Sequence, residues 1–104
     1  MISLFIKGRK HRTKASAVYD ETTGIVTVLK GSIVSEQISD FQSSDHIRKL
    51  RSEKTDSVGM VLEDIPFKNS TAAAQFVCGY SASGLVAWHV EKHKTLSEWI
   101  KENS

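Results

Sequence analysis

The chain of 104 residues is 39% hydrophobic and 25% charged, with a formal net charge of +2. This length and composition suit one globular domain with a modest core, so we expect a single domain over residues 1–104. No apolar run approaches the ~20 residues that span a bilayer, and the sequence therefore predicts no membrane contact. The single cysteine, Cys78, cannot form an internal disulfide, so we expect a reducing, cytoplasmic setting.

The first third of the chain has the alternating pattern of half-buried strands. Residues 2–6 alternate apolar and polar, and we expect a first strand there rather than a signal peptide, because no basic region precedes them. Residues 15–19 and 25–29 predict two further strands, joined by a turn at residues 20–24 that ends in Gly24. Gly31 is the expected pivot after which residues 33–34 continue the third strand past a bulge.

The segment between the first two strands is basic. Residues 1–19 contain five Lys or Arg and no acid, whereas the other 85 residues contain nine Lys or Arg and twelve Asp or Glu. A loop of this charge predicts contact with the phosphates of a nucleic acid through counterion release. The alternative is a solvated hairpin loop that keeps the protein soluble. The candidate nucleic-acid-binding residues are Lys7, Arg9, Lys10, His11, Arg12 and Lys14.

The middle of the chain predicts one helix and two short extended segments. Residues 45–54 have a thin apolar stripe at Ile47 and Leu50, and Ser44 is the expected N-cap. Residues 60–62 predict a short strand, and Pro66 indicates that residues 65–67 form an edge strand or an extended lead-in. The basic side chains of the helix are expected to face away from its apolar stripe, where they either widen the basic surface or are balanced by acids: Arg48, Lys49, Arg51 and Lys54.

Residues 69–102 have the pattern of helix, turn, short strand, turn and helix. Asn69 or Ser70 is the expected N-cap of the first helix, and Gly79 is the expected left-handed residue that ends it. Thr95 and Glu98 have the spacing of a capping box that starts the last helix. The first helix carries an apolar face, and an extended run follows it: Ala73, Phe76, Val77 and Tyr80, then Leu85, Val86 and Trp88.

Strands thus come first and helices later, with strands close enough in sequence to pair antiparallel. This order predicts an α+β fold, in which about three helices pack on a small, curled antiparallel sheet of about four or five strands.

Two pieces of the chain resemble an uncharacterised bacterial domain family that is often found C-terminal to GIY-YIG nuclease domains. The first comprises Lys7-Gly8, residues 17–19, Thr23-Gly24 and residues 28–32, and the second comprises residues 70–74, Gly79, Ser81-Ala82, Gly84, Trp88 and residues 94–96. The same family is similar to the domain associated with restriction enzymes and adenine methylases. The resemblance implies an accessory role near DNA and no known chemistry, because the family has no established catalytic residues.

The aromatic residues near the C-terminus offer a second candidate site. Tyr80, Ser81, Ser83 and Trp88 are the residues of a possible pocket that stacks a flipped or modified base. The alternative is a small core that the same aromatic residues, with Phe76 and Trp99, form between the late helices and the sheet.

Other reactive side chains do not complete a catalytic or metal-binding pattern. His89 and His93 have a four-residue spacing but no evident third ligand, and Cys78 has no neighbouring base in the sequence. We therefore expect no catalytic residues, no metal and no cofactor. The sequence predicts a non-catalytic binding module for DNA or RNA, and the alternative is a protein-interaction domain that tethers or regulates a nuclease or modification enzyme. The oligomeric state stays open.

Overall fold

A computed structural model describes residues 1–7, 13–35, 38–39 and 44–103. Within these residues, six antiparallel strands form one open sheet in the order β4-β3-β2-β1-β5-β6, and four helices accompany it. This arrangement confirms the α+β class, with one or two strands and one helix more than predicted. The strands are β1 (Ile2–Lys7), β2 (Lys14–Tyr19), β3 (Val26–Val28), β4 (Ile65–Phe67), β5 (His89–Glu91) and β6 (Lys94–Thr95), and the helices are α1 (Ser44–Lys54), α2 (Ser70–Cys78), α3 (Gly84–Ala87) and α4 (Leu96–Glu102).

The alternation of apolar residues in β1 and β2 decides which face of the sheet is buried. The two strands pair over six residues each, from Ile2 opposite Tyr19 to Lys7 opposite Lys14. Leu4 lies opposite Ala17, and both side chains are almost fully buried. Because side chains alternate between faces along a strand, the intervening residues lie on the other face. The core on the buried face is completed by residues of α2 and α4 and by the residue that follows α3: Phe76, Val77, Leu96 and Trp88.

The third predicted strand is confirmed, whereas its predicted continuation at residues 33–34 is reduced to isolated bridges at Ile33. β3 pairs with β2, with Val28 opposite Ala17. Gly31 adopts a positive φ of 91°, which a residue with a side chain rarely adopts, and turns the chain there. Ile33 then exchanges two backbone hydrogen bonds with Lys14 at 2.8 and 3.0 Å, so pairing resumes along β2 with a shifted register. The predicted strand at residues 60–62 is reduced to isolated bridges between Met60 and Ile33 and between Val61 and Thr55.

The prediction that Arg51 faces away from the apolar side of α1 is wrong. Arg51 is only 8% exposed, and its guanidinium donates to the carbonyl oxygens of Phe76, Val77 and Ser35. Burial lowers the pKa of Arg51 to about 10. A pattern of charged residues at helical spacing predicts exposure by default, but the carbonyls at the end of α2 lack intrahelical donors, and Arg51 supplies them.

The ends of α2 are confirmed. Asn69 is the N-cap, with its Oδ1 accepting from Ala72 N–H at 2.8 Å, and Gly79 is the left-handed C-cap with a φ of 78°. Ala73, Phe76 and Val77 are fully buried as predicted. Tyr80 departs from the predicted apolar face and is 52% exposed, because the helix has already ended at Cys78.

The predicted extended run at Leu85, Val86 and Trp88 is wrong in its first part. Residues Gly84–Ala87 form α3, Leu85 and Val86 are exposed, and the strand begins only at His89. The turn is closed by backbone hydrogen bonds from Ala87 N–H to Ser83 O and from Trp88 N–H to Gly84 O. Gly84 has no room for a side chain, because a Cβ atom would lie 2.1 Å from the carbonyl carbon of Ser70. A four-residue apolar run has no periodicity that distinguishes a helix from a strand, so the sequence could not decide this segment.

The capping box at the start of α4 is confirmed. Glu98 N–H donates to Thr95 Oγ1 at 3.3 Å, and Thr95 N–H donates to the Glu98 carboxylate at 3.2 Å. The helix places Leu96 in the core and sets Trp99 edge-on against Tyr19, with ring centroids 6.4 Å apart. No helix in the described part of the chain is both long and apolar enough to cross a membrane.

Candidate functional site

The base of the β1–β2 hairpin places two lysines side by side. Lys7 and Lys14 lie directly opposite each other in the register, and both are exposed. Neither ammonium group has an ion-pair partner among the described residues. Like charges directly opposite each other on paired strands are destabilising. The fold therefore places two cations opposite each other at one end of the sheet. In the described part of the chain, no carboxylate forms an ion pair with them that would offset their repulsion.

The remaining residues of the predicted basic site come between these two strands in the sequence. Arg9, Lys10, His11 and Arg12 fall outside the described residues. The strand that follows them is nevertheless well fixed. Thr13 is 6% exposed, and the backbone of Lys14 is bonded to Ile33 on one side and paired with β1 on the other. The backbone therefore sets the position of Lys14 relative to Lys7.

Three of the four Lys and Arg side chains of α1 are either paired with a carboxylate or buried. Arg48 lies 3.5 Å from the carboxylate of Asp45, and Lys54 pairs with Glu63, which raises the pKa of Lys54. Arg51 is buried, as described above. Lys49 is therefore the α1 cation that is exposed and has no ion-pair partner among the described residues.

The aromatic candidates are divided between the core and the surface. Trp88 has no exposed area, and its Nε1–H donates to the carbonyl oxygen of Ser70 at 3.0 Å. Tyr80, Ser81 and Ser83 are exposed. A ring without an exposed face cannot stack a base, so the arrangement of Trp88 corresponds to the alternative of a small core.

Cys78 is buried, and His89 and His93 differ in their exposure. Burial raises the pKa of the Cys78 thiol, and a thiol is a poor nucleophile compared with its thiolate. His89 lies with its ring centroid 5.7 Å from that of Phe5, while His93 is exposed in a turn. No cluster of three or more His, Cys, Asp or Glu side chains with metal-binding geometry occurs among the residues that the structure describes.

A groove beside β4 is the feature that the sequence analysis missed. It has a volume of about 630 Å³ and is bounded by α1, by β4 and by the first half of α2. Ile47 and Leu50 from α1 and Ala72 from α2 contribute apolar surface, whereas His46 and Lys68 contribute basic groups. The apolar stripe of α1 and the proline of β4 are both visible in the sequence. Their positions in the sequence do not predict that a groove lies between α1, β4 and α2.

Comparison with known proteins gives one result. No curated protein and no solved structure gives a significant match to the chain. Residues 4–100, which are nearly the whole chain, match the family described as Domain of unknown function (DUF4357). The resemblance to an uncharacterised domain family is confirmed at this level, and the chain belongs to the DUF4357 family of domains of unknown function.

Proposed function

We propose that this domain is a non-catalytic module that contacts the backbone of DNA or RNA through the basic hairpin at residues 7–14. The observation that supports the proposal is the juxtaposition of Lys7 and Lys14, with no ion-pair partner in the described part of the chain. A row of phosphates relieves the repulsion between two such cations and releases counterions as it binds. The three further cations between them, Arg9, Lys10 and Arg12, give the segment five positive charges and no acid.

The number of charges limits the affinity that this surface can provide. Five neutralised phosphates give a log–log salt dependence with a slope of about −4.5 on duplex DNA and about −3.5 on a single strand. Binding of this kind is weak and independent of sequence, because phosphate contacts carry no base information. We therefore propose that the domain adds affinity to a partner that supplies the specificity. The family resemblance suggests a nuclease or a restriction or modification enzyme as that partner.

The test compares charge variants by fluorescence anisotropy with a labelled duplex and a labelled single strand, each of about 20 nucleotides, between about 50 and 200 mM salt. The double variant Lys7→Glu/Lys14→Glu should abolish binding to both. The matched control Lys49→Glu/Lys92→Glu changes the net charge equally at two exposed positions outside the hairpin and should bind as the wild type does. Failure of both probes to bind at the lowest salt, or an equal loss in the control, would refute the proposal.

The single variant Lys7→Glu separates binding from folding. It places a carboxylate opposite Lys14 and should raise the free energy of unfolding by about 0.5 kcal/mol, because an opposite-charge pair replaces a like-charge pair. The same variant should weaken nucleic-acid binding. A loss of binding in a more stable protein cannot be attributed to unfolding.

A partner enzyme needs its own experiment. A nuclease or modification enzyme encoded beside this gene should be retained by the immobilised domain at about 500 mM salt, where the Debye length is only a few ångströms and phosphate contacts are weak. Retention that disappears on nuclease treatment at low salt would show that nucleic acid bridges the two proteins and would refute a direct contact.

A further inference from the structure

The groove beside β4 lies between α1 and α2, which Arg51 joins near their C-terminal ends. Arg51, in the last turn of α1, donates to Phe76 and Val77 in the last turn of α2. The residues of the two helices that line the groove lie N-terminal to these contacts, at His46 to Leu50 and at Asn69 to Gln75. The groove is therefore on the N-terminal side of the Arg51 contacts, and β4 forms its third wall.

The floor of this groove is apolar. Ile47, Ile65 and Phe67 line it and belong to the core cluster, and Leu50 and Ala72 are partly buried at its surface. Concave apolar surfaces of several hundred Å³ are typical of binding sites rather than of packing defects. Ala72 and Leu50 are therefore positions at which an apolar side chain of a ligand gains contact.

The formal charge at the rim is positive and comes from Lys68, and the His46 imidazole also lines the groove. No Asp or Glu is among the described residues that line it. The nearest acids in sequence are engaged elsewhere, since Asp45 pairs with Arg48 and the Asp64 carboxylate accepts from Lys30 N–H at 2.8 Å. The groove is therefore complementary to a ligand with an apolar side and an acidic side.

The edge of β4 restricts how a peptide can bind. Pro66 lies in the middle of this three-residue edge strand and has no N–H group for an added strand. Recognition must then come from side chains rather than from backbone pairing. The wall formed by residues 69–75 extends for about 9 Å along α2, which matches the about 10 Å between positions i and i+7 of a helix.

From this groove, we propose that the domain binds an acidic amphipathic helix of a partner protein, with apolar anchors at i, i+3 or i+4 and i+7 against Leu50 and Ala72 and with carboxylates toward Lys68 and His46. This surface is separate from the hairpin. Phe67 and Tyr19 are both paired with Val26 at one end of the sheet, whereas Lys7 and Lys14 pair at the other end. The proposal therefore stands or falls independently of nucleic-acid binding.

The probe is a fluorescein-labelled 14-residue peptide, about four helical turns long, with Leu at the anchor positions and Glu elsewhere. Two control peptides have Lys in place of Glu, or the same composition with Leu distributed around the helix. We expect saturable binding of the acidic amphipathic peptide by anisotropy and at least about tenfold weaker binding of both controls. Backbone amide shifts in heteronuclear NMR spectra should change at residues 46–50 and 65–75.

Variants locate the site on the protein. Lys68→Glu, at an exposed position, should lower the affinity for the acidic peptide about fivefold and raise the affinity for the Lys peptide. Ala72→Glu should lower the affinity for the acidic peptide more than about tenfold, because it places a carboxylate on the apolar surface of the groove. The control Lys92→Glu, next to the strands at the opposite edge of the sheet, should change the affinity for neither peptide. All three variants should bind duplex DNA as the wild type does, so failure here is distinguishable from failure of the nucleic-acid proposal.

Three outcomes would overturn the proposal. One is no saturable binding of the acidic peptide at millimolar protein, and another is equal binding of the Lys peptide. The third is self-association in sedimentation that Ala72→Glu reverses, since the groove would then be covered by a second copy of the chain.

Discussion

Replacement of Arg51 by methionine tests whether a buried guanidinium joins α1 to α2. The side chain donates four hydrogen bonds: Nε and Nη2 to Phe76 O at 2.9 and 2.7 Å, Nη1 to Ser35 O at 2.7 Å, and Nη2 to Val77 O at 3.2 Å. The guanidinium contacts no carboxylate among the described residues. Among the described residues, carbonyl dipoles are therefore the main groups that stabilise its positive charge.

The expected loss can be worked from these contacts. Phe76 O lies in the last turn of α2, where its own helix offers no further N–H group, and Val77 O keeps a second donor in Ser35 N–H. Two carbonyl oxygens, Phe76 O and Ser35 O, thus lose strong charge-assisted bonds, at about 1–3 kcal/mol each. Methionine recovers part of this by burying apolar surface without a desolvated charge. We expect Arg51→Met to lower the free energy of unfolding by about 3 kcal/mol and Tm by roughly 12–24 °C.

Urea unfolding followed by circular dichroism measures this change, and two variants serve as controls. Lys49→Met alters an exposed position of the same helix and should change the free energy of unfolding by less than about 0.5 kcal/mol. Arg51→Lys keeps the charge but cannot supply the planar fork, and it should fall between the wild type and Arg51→Met. If Arg51→Met unfolds within about 0.5 kcal/mol of Lys49→Met, the guanidinium does not stabilise the helix pair and the reasoning fails.

Three further predictions concern the turns. Gly84→Ala should lower stability by more than about 4 kcal/mol, since its Cβ would lie 2.1 Å from a backbone atom, whereas Gly24→Ala meets nothing within 4 Å and should cost only about 1 kcal/mol of strain at its positive φ. Thr95→Ala removes the cap of α4 and should cost about 1 kcal/mol in the same urea assay. The pKa of Asp20 is lowered, chiefly by a backbone hydrogen bond from Thr22, so this carboxylate contributes stability above about pH 4 that is lost as the pH falls through its folded pKa. The Tm difference between the wild type and Asp20→Asn should therefore be present at about pH 6 and shrink as the pH falls below about 4; a difference that stays constant in acid would contradict this origin.

The predictions that held are those with a local physical cause. The alternation of side chains predicted β1 and β2. The side-chain oxygen of Asn69 predicted the start of α2, and the left-handed conformation that glycine allows predicted its end at Gly79. The capping box at Thr95 is of the same kind. Each depends on interactions within a few residues, which the sequence contains in full.

The errors arise where distant residues decide the structure. Arg51 has the spacing of an exposed helix residue, but its side chain is buried and donates to carbonyl oxygens about 25 positions later in the sequence. The backbone of Ser70 approaches Gly84 closely, and this long-range contact is not visible in a run that lacks periodicity. The groove is formed by residues of α1, β4 and α2 together, and no single segment encodes that arrangement. The opposition of Lys7 and Lys14 follows from the hairpin register, which the alternation limits to steps of two residues and which depends also on the turn.

The two outer strands of the sheet are poor templates for growth. One is only three residues long and has proline at its centre, and the other is the two-residue segment Lys94–Thr95. Long, flat, unprotected edges recruit further chains into aggregates, whereas short or proline-bearing edges resist this. The edges of this sheet therefore disfavour edge-to-edge association when many copies of the domain are close together.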